Sequence, residues 1–213
     1  MGEKPLRLCL VRHGETDWNR AQRLQGWTDV PLNAEGQAQA AAAAQELASE
    51  RFDAIYSSTL QRARATAEAL ARPHGLPLRL DERLRERHLG DLQGLLRADI
   101  QARHPEVNTL LQQRRPGYAP PGGENLPQFR ARVQAWLADL VRAHAGQQVL
   151  AVSHGGVLDL VHRLATGGDF DAPRRVTLGN AALNWFVWRQ ERWWVEAMGL
   201  DDHLEQSLDE RTV

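Results

Sequence analysis

Several short apolar segments of this chain are followed by polar residues of the types that carry out catalysis. Arg12 and His13 follow the first such segment. Arg62 comes shortly after the second segment, His154 follows a later one, and Glu86 stands a few residues beyond another. In open α/β sheets, ligands bind at the edge formed by the carboxyl ends of the strands. We therefore predict that these five side chains share one site.

The predicted site has the composition that phosphoryl transfer requires. Arginine forks can hold the non-bridging oxygens of a phosphate monoester, and Arg12 and Arg62 are placed to supply them. His13 can act as the nucleophile on phosphorus, because nearby positive charge disfavours protonation of its imidazole. Glu86 can donate the proton that the leaving group needs. Close approach of the backbone to a ligand is favoured by the glycines at positions 14, 155 and 156.

The same residues allow a second interpretation, in which they bind a metal ion. Two histidines and one carboxylate hold zinc in many hydrolases, and His13, His154 and Glu86 form such a set. An arginine next to one of these ligands, and a second arginine directed at the site, disfavour a cation there. We therefore predict that the site holds no metal.

The segments that must position these residues alternate between predicted strands and predicted helices. The strand-like segments are residues 6–11, 53–56, 78–80, 147–152, 181–189 and 192–200. Helix-like patterns cover residues 34–49, 60–71, 125–145 and 155–165. This alternation predicts an α/β domain with a mostly parallel central sheet. The last two strands are predicted to pair as a hairpin at the edge of that sheet.

The stretch from residue 89 to residue 123 is less regular than the rest of the chain. It contains four prolines, at positions 105, 116, 120 and 121. A helix is predicted near residues 97–103, with a long loop after it. Long loops in compact domains often form binding or lid segments.

The overall composition excludes several classes of protein. The chain has 213 residues, of which 42% are hydrophobic and 25% charged, and this predicts one globular domain. Its net charge of -1 argues against a nucleic-acid-binding protein. The sequence has neither a membrane-length apolar run nor a signal-peptide pattern, so a cytoplasmic location without membrane partners is expected. The single cysteine, Cys9, cannot form an internal disulfide and fits a reducing compartment.

Arginine and tryptophan usage adds two expectations. All but one of the 26 basic residues are arginine, which we attribute mainly to coding bias, with a few arginines placed to bind phosphate. Tryptophans at positions 185, 188, 193 and 194 could form the interface of a homodimer. The alternative is that they pack on a face of the sheet.

The residues around the predicted site belong to longer motifs. These motifs are Leu-Val-Arg-His-Gly-Glu-Thr at 10–16, Gln-Gly-Trp-Thr-Asp-Val-Pro-Leu at 25–32, Ser-Ser at 57–58 with Arg62, Glu86 with Gly90 and Gly94, and Val-Ser-His-Gly-Gly at 152–156. In this order, and over nearly the whole chain, they resemble the motifs of the histidine phosphatase superfamily, the phosphoglycerate-mutase-like proteins. The first motif alone is strongly specific for that family.

The resemblance implies a role for each of these residues. His13 would be the phosphorylated nucleophile and Glu86 the proton donor. The pocket for the transferred phosphoryl group would be formed by Arg12, Arg62 and His154. Positions that bind the substrate would be Asn19, Gln25, Gly26 and Gly155.

The resemblance also implies an architecture and a type of ligand. The fold would be a three-layer α/β/α sandwich, formed by a single domain over residues 1–213. Most of residues 89–123 would form a cap over the site. The ligand would be a small phosphorylated substrate, and no metal or organic cofactor would be needed.

The superfamily contains both phosphatases and cofactor-dependent phosphoglycerate mutases, which share these motifs. The 68 residues from Glu86 to His154 are short for a mutase, whose corresponding segment usually carries an insertion. We therefore expect a phosphomonoesterase that acts on small metabolites through a phosphohistidine. The alternative is a 2,3-bisphosphoglycerate-dependent phosphoglycerate mutase. A non-catalytic relative is disfavoured because all five site residues are present.

Two nearby residues have open roles. Glu124 could contact substrate or stabilise a helix N-terminus, and His88 has no assigned role.

Overall fold

A computed structural model describes residues 4–205 and contains six strands and seven helices within that range. The strands are β1 (Leu6–Arg12), β2 (Ala54–Ser57), β3 (Leu78–Leu80), β4 (Gln148–Ser153), β5 (Leu183–Arg189) and β6 (Arg192–Leu200). The helices are α1 (Asp17–Arg20), α2 (Ala34–Glu46), α3 (Gln61–Ala71), α4 (Arg97–Arg103), α5 (Pro105–Gln112), α6 (Leu126–Ala143) and α7 (Gly155–Thr166). None of these helices is both long and apolar enough to cross a membrane.

The six strands form one sheet in the order β3-β2-β4-β1-β5-β6. β1 pairs in parallel with β4, and β2 pairs in parallel with both β4 and β3. β5 runs antiparallel to β1, and β6 pairs antiparallel with β5 at the edge of the sheet. The predicted mostly parallel sheet with an edge hairpin is therefore confirmed. Because β1, β2 and β4 end at the same edge, the residues that follow them lie close together.

Two hydrophobic cores, one on each face of the sheet, give the protein three layers. Side chains alternate along β1, so that Leu8 and Leu10 belong to one core while Cys9 and Val11 belong to the other. Helices α6 and α7 pack on the first face, and α2 and α3 pack on the second. This arrangement is the predicted α/β/α sandwich. Its two central strands, β1 and β4, are buried on both faces and lead directly into the predicted site.

The structure of residues 89–123 corrects one expectation. Helix α4 occurs where it was predicted, but the long loop predicted after it is wrong, because Pro105–Gln112 form α5. Pro105 lies in the first turn of this helix, where its missing N–H group needs no partner. A third, small hydrophobic core joins α4 and α5 to the neighbouring loops. It contains Leu24, Leu89, Leu92, Ile100 and Leu111.

Two of the four tryptophans of the edge hairpin belong to the cores of the protein itself. Trp185 packs in the core that contains α2 and α3, and Trp193 packs in the core that contains α6 and α7. Trp188 contacts Trp193 edge-on, with ring centres 5.5 Å apart. Trp185 and Trp193 therefore pack on a face of the sheet, which was the alternative to a homodimer interface. The homodimer stays a prediction.

Candidate active site

His13 lies directly after β1 and is almost completely buried, with 3% of its surface exposed. Its Nδ1 is 2.7 Å from the carbonyl oxygen of Gly14. A carbonyl only accepts hydrogen bonds, so this contact places the ring proton on Nδ1 and leaves a lone pair on Nε2. Burial, and then the positive charges of Arg62 and Arg12, hold the pKa of His13 well below its ordinary value. At neutral pH the imidazole is therefore uncharged and presents Nε2 as a nucleophile.

The guanidinium group of Arg62 is held against this nucleophile by backbone carbonyl groups. Its Nη2 donates to the carbonyl oxygen of Gly26 at 2.7 Å, and its Nη1 donates to that of Thr28 at 2.9 Å. Its Nε lies 3.3 Å from Nε2 of His13. The backbone at Gly26 has a φ of +51°, and a Cβ there would lie 2.3 Å from the side-chain oxygen of Gln93. Glycine is therefore required at the position whose carbonyl group orients Arg62.

Arg12 and His154 complete the charged and polar surroundings of His13. Nη1 of Arg12 donates to the carbonyl oxygen of Leu178 at 2.6 Å, which fixes this buried guanidinium group. The ring centres of His154 and His13 are 5.1 Å apart. Nε2 of His154 lies 2.8 Å from the hydroxyl oxygen of Ser58. Burial, and then the charge of Arg62, hold the pKa of His154 well below its ordinary value, so that its ring is also neutral.

The carboxyl group of Glu86 is held at the N-terminus of α7. Its Oε2 accepts a hydrogen bond from the backbone N–H of Gly156 at 2.9 Å, and its Oε1 accepts one from that of Arg87 at 2.8 Å. A Cβ at Gly156 would lie only 2.1 Å from Oε1 of Glu86. The glycine at position 156 therefore makes room for the carboxyl group that was predicted to be the proton donor.

One pocket is lined by most of the residues that the sequence predicts for the site. They are Arg12, His13, Gln25, Gly26, Arg62, Glu86 and Gly155. Asn19 lies behind Gln25: the hydroxyl oxygen of Thr16 is 3.0 Å from Oδ1 of Asn19 and 3.1 Å from Oε1 of Gln25. Nδ2 of Asn19 is buried and has no acceptor among the described residues. Asn19 is not among the residues that line the pocket, and its substrate-binding role stays a prediction.

Three further arginines line the pocket and were not predicted for the site. Arg87 follows Glu86, Arg97 begins α4, and Arg114 follows α5. Burial, and then the like charge of Arg114, lower the pKa of Arg87. The apolar part of the wall is formed by Leu24, Leu89, Leu126 and Phe129. In a chain with so many arginines, only the short spacing from Glu86 singles out Arg87, and nothing singles out Arg97 or Arg114.

His88 and Glu124 do not line this pocket wall but support it. The His88 ring stands edge-on to Trp27, with ring centres 4.7 Å apart, and its Nδ1 accepts from the backbone N–H of Gly90. The carboxylate of Glu124 forms an ion pair with Arg132, with its Oε1 2.6 Å from Nε of the arginine. Across residues 4–205, no group of three or more histidine, cysteine, aspartate or glutamate side chains is placed to hold a metal ion.

The chain as a whole matches a known protein family. The family model for the histidine phosphatase superfamily (branch 1) matches residues 8–201. That range includes all of the residues that form the pocket and all of the central sheet except the first two residues of β1.

Similar proteins carry the names of phosphatases and of mutases. Phosphoglycerate mutase-like protein 4 of Arabidopsis thaliana is 35% identical over 205 residues, covering 94% of this chain and 87% of that protein. The metal-independent phosphoserine phosphatase of the same plant is 36% identical over 200 residues, covering 92% and 82%. A solved structure of mycobacterial glucosyl-3-phosphoglycerate phosphatase in complex with VO3 is 34% identical. It has a TM-score of 0.81, covering 91% of this chain and 99% of that one.

Proposed function

The chain belongs to the histidine phosphatase superfamily, and on this basis we propose that it hydrolyses small phosphorylated metabolites through a phosphohistidine at His13. The observation that carries the proposal is the hydrogen bonding of the His13 ring. Nδ1 lies against the carbonyl oxygen of Gly14 and Nε2 accepts a hydrogen bond from Nε of Arg62, so the ring is neutral and the lone pair of Nε2 is directed at a phosphate-binding group. The phosphatases among its relatives support the same class of reaction.

In the first step, the lone pair of Nε2 attacks phosphorus and the bond between phosphorus and the ester oxygen breaks. Negative charge on the equatorial oxygens is stabilised by the guanidinium groups of Arg12 and Arg62, with His154 as a further contact. These groups are already fixed by protein carbonyl and hydroxyl groups, so little reorganisation is needed during the reaction. The protonated carboxyl group of Glu86 gives its proton to the departing alkoxide oxygen.

In the second step, a water molecule attacks the phosphorus atom of the phosphohistidine. Glu86, now a carboxylate, accepts a proton from that water, and the bond between phosphorus and Nε2 breaks. Inorganic phosphate leaves, and both His13 and Glu86 return to their starting protonation states. Glu86 thus serves as acid and then as base, and the N–H groups of Gly156 and Arg87 hold it in place for both steps.

The arginines of the outer pocket favour substrates with a second acidic group. Arg87, Arg97 and Arg114 add positive charge to a wall whose other residues are mostly apolar. Asp159 is the acidic side chain on this part of the lining. Its Oδ2 forms ion pairs with Nη1 of Arg114 at 3.3 Å and with Nε of Arg163 at 2.9 Å. A charge-assisted hydrogen bond contributes roughly 1.5–3 kcal/mol, about a tenfold or larger gain in affinity.

A matched pair of substrates tests this preference. 3-Phosphoglycerate has a carboxylate at the position where glycerol 3-phosphate has a hydroxymethyl group. We expect kcat/KM to be about tenfold higher or more for the carboxylate. Arg114→Gln should remove the preference while leaving p-nitrophenyl phosphate hydrolysis nearly unchanged. Equal rates for the two substrates with the wild-type protein would argue against a second acidic group.

Phosphoglycerate mutase is the second candidate function, because a similar protein is named phosphoglycerate mutase-like and because the arginine-lined wall would also suit phosphoglycerate. One assay separates the two functions. The protein is incubated with 3-phosphoglycerate, with and without 2,3-bisphosphoglycerate, and both 2-phosphoglycerate and free phosphate are measured. A phosphatase releases phosphate without the bisphosphate. Rapid isomerisation that requires the bisphosphate, with little phosphate released, would favour the mutase.

A further inference from the structure

Three carbonyl groups of the backbone that carries Glu86 are held by one side chain from helix α6. Two further side chains contact the same stretch: Trp27 donates to the carbonyl oxygen of Glu86, and Ser153 donates to that of Leu84. The guanidinium group of Arg132, on α6, donates from Nη1 to the carbonyl oxygens of Arg83 and Arg85, at 2.8 and 2.7 Å. It also donates from Nη2 to the carbonyl oxygen of Glu86 itself, at 2.7 Å. Three carbonyl groups in four consecutive residues therefore converge on one side chain.

Glu124 fixes the remaining side of this arginine and of the same loop. Its Oε1 accepts from Nε of Arg132 at 2.6 Å, and its Oε2 accepts from Nη2 at 2.9 Å. The Oε2 atom of Glu124 also accepts from the backbone N–H of His88 at 2.9 Å. The Arg132–Glu124 pair thus contacts the backbone both before and after Glu86. Both side chains are largely buried, with 17% and 13% of their surface exposed.

We propose that Arg132 is a positioning residue that sets the geometry of Glu86 for proton transfer. The inference rests on the proposed role of Glu86 as proton donor and goes beyond it. Arg132 acts through the backbone of residues 83–86, since its hydrogen bonds are to carbonyl oxygens and to Glu124. Misplacement of a reacting group by about 1 Å can reduce a rate about a hundredfold, so this backbone has a direct effect on catalysis.

Arginine is needed here because of the shape of its guanidinium group. The planar fork makes five hydrogen bonds to acceptors that lie in different directions. Lysine would keep the positive charge but has a single nitrogen, which cannot reach all of these acceptors. Arg132→Lys therefore releases the loop without leaving Glu124 as an unpaired buried carboxylate.

The test compares two substrates with different needs for a proton. An alkyl phosphate has a leaving group that must be protonated, whereas p-nitrophenyl phosphate has one that leaves as the anion. The measured quantity is kcat/KM, because it reports the first step, in which the leaving group departs. Arg132→Lys should lower kcat/KM on the alkyl phosphate about tenfold or more, and on the aryl phosphate by less than about threefold. Glu86→Gln should show the same pattern with a larger loss. Adding Arg132→Lys to Glu86→Gln should cause little further loss on the alkyl phosphate, because both changes affect one proton transfer.

The controls separate positioning from folding. Arg142→Lys changes an exposed arginine on the same helix, which pairs with Asp139, and should leave both rates unchanged. Thermal unfolding of each variant measures its stability. If Arg132→Lys does not fold, Glu124→Gln tests the same pair and should show the same difference between substrates.

The outcomes are distinct for the two proposals. Equal losses of Arg132→Lys on both substrates, or losses that multiply with those of Glu86→Gln, would overturn the positioning role while leaving the proposed function intact. Equal losses of Glu86→Gln on both substrates would overturn Glu86 as the proton donor, and the positioning role with it. If both variants lose activity mainly on the alkyl phosphate, and their losses do not multiply in the double variant, both the proton-donor role of Glu86 and the positioning role of Arg132 are supported.

Discussion

Gly156→Ala tests the placement of the proton donor by adding one methyl group. The new Cβ would lie 2.1 Å from Oε1 and 3.1 Å from the carboxyl carbon of Glu86. Ordinary contacts begin near 3.4 Å, so Oε1 of Glu86 must move by more than 1 Å. A displacement of this size costs about a hundredfold in rate, and we expect that loss in kcat/KM on an alkyl phosphate, since kcat/KM reports the first step only. On p-nitrophenyl phosphate the loss should be much smaller, because its leaving group needs no proton.

The same substitution should not destabilise the fold. Gly156 lies in the first turn of α7, and alanine is favoured over glycine in a helix by about 1 kcal/mol. The melting temperature of Gly156→Ala is therefore expected to equal or exceed that of the wild type. Gly168→Ala, just beyond the same helix, is the matched control, since its Cβ would be in ordinary contact at 3.4 Å or more. Wild-type kcat/KM on the alkyl phosphate in a folded Gly156→Ala variant would refute the assigned position of Glu86.

Three further outcomes are expected. Burial keeps His13 and His154 neutral in the folded state, whereas the unfolded chain takes up protons on them near pH 6.5. The free energy of unfolding is therefore highest above that pH and decreases as the pH falls below it. Denaturant unfolding at pH 7 and pH 5.5 should differ by about 1 kcal/mol for each buried histidine, and asparagine at either position should reduce the difference. Arg62→Lys should lower kcat by about a hundredfold or more with little change in melting temperature, because an ammonium group cannot keep the contacts to Gly26, Thr28 and His13 together. EDTA should leave phosphatase activity unchanged, and an activity lost to EDTA and restored by zinc would instead support the metal interpretation.

The strands and the residues after them could be predicted from the sequence because local patterns determine both. β1 and β4 are apolar runs buried on both faces, and such runs end where polar residues begin. His13 and His154 follow those ends directly, so the parallel topology alone brings them together. Glu86 was also predicted, although its exact position depends on the glycine at 156.

The fold of residues 89–123 and the supporting contacts could not be predicted in the same way. The helix that begins at Pro105 was missed because proline suggests a break when its position in the helix is unknown. Arg114 and Arg132 reach their partners through tertiary contacts that no local spacing records. Glu124 had two possible roles in the sequence, and its ion pair with Arg132 became apparent only in the folded chain.

The central claim is that His13 carries the phosphoryl group, and trapping the intermediate tests it most directly. The protein is mixed with a substrate labelled on phosphorus, quenched within milliseconds and digested, and the labelled peptide is identified. We predict an acid-labile, base-stable label on His13, absent in a folded His13→Ala variant whose turnover is at least about a thousandfold lower. A label on serine or aspartate, or no labelled protein during rapid turnover, would contradict the claim.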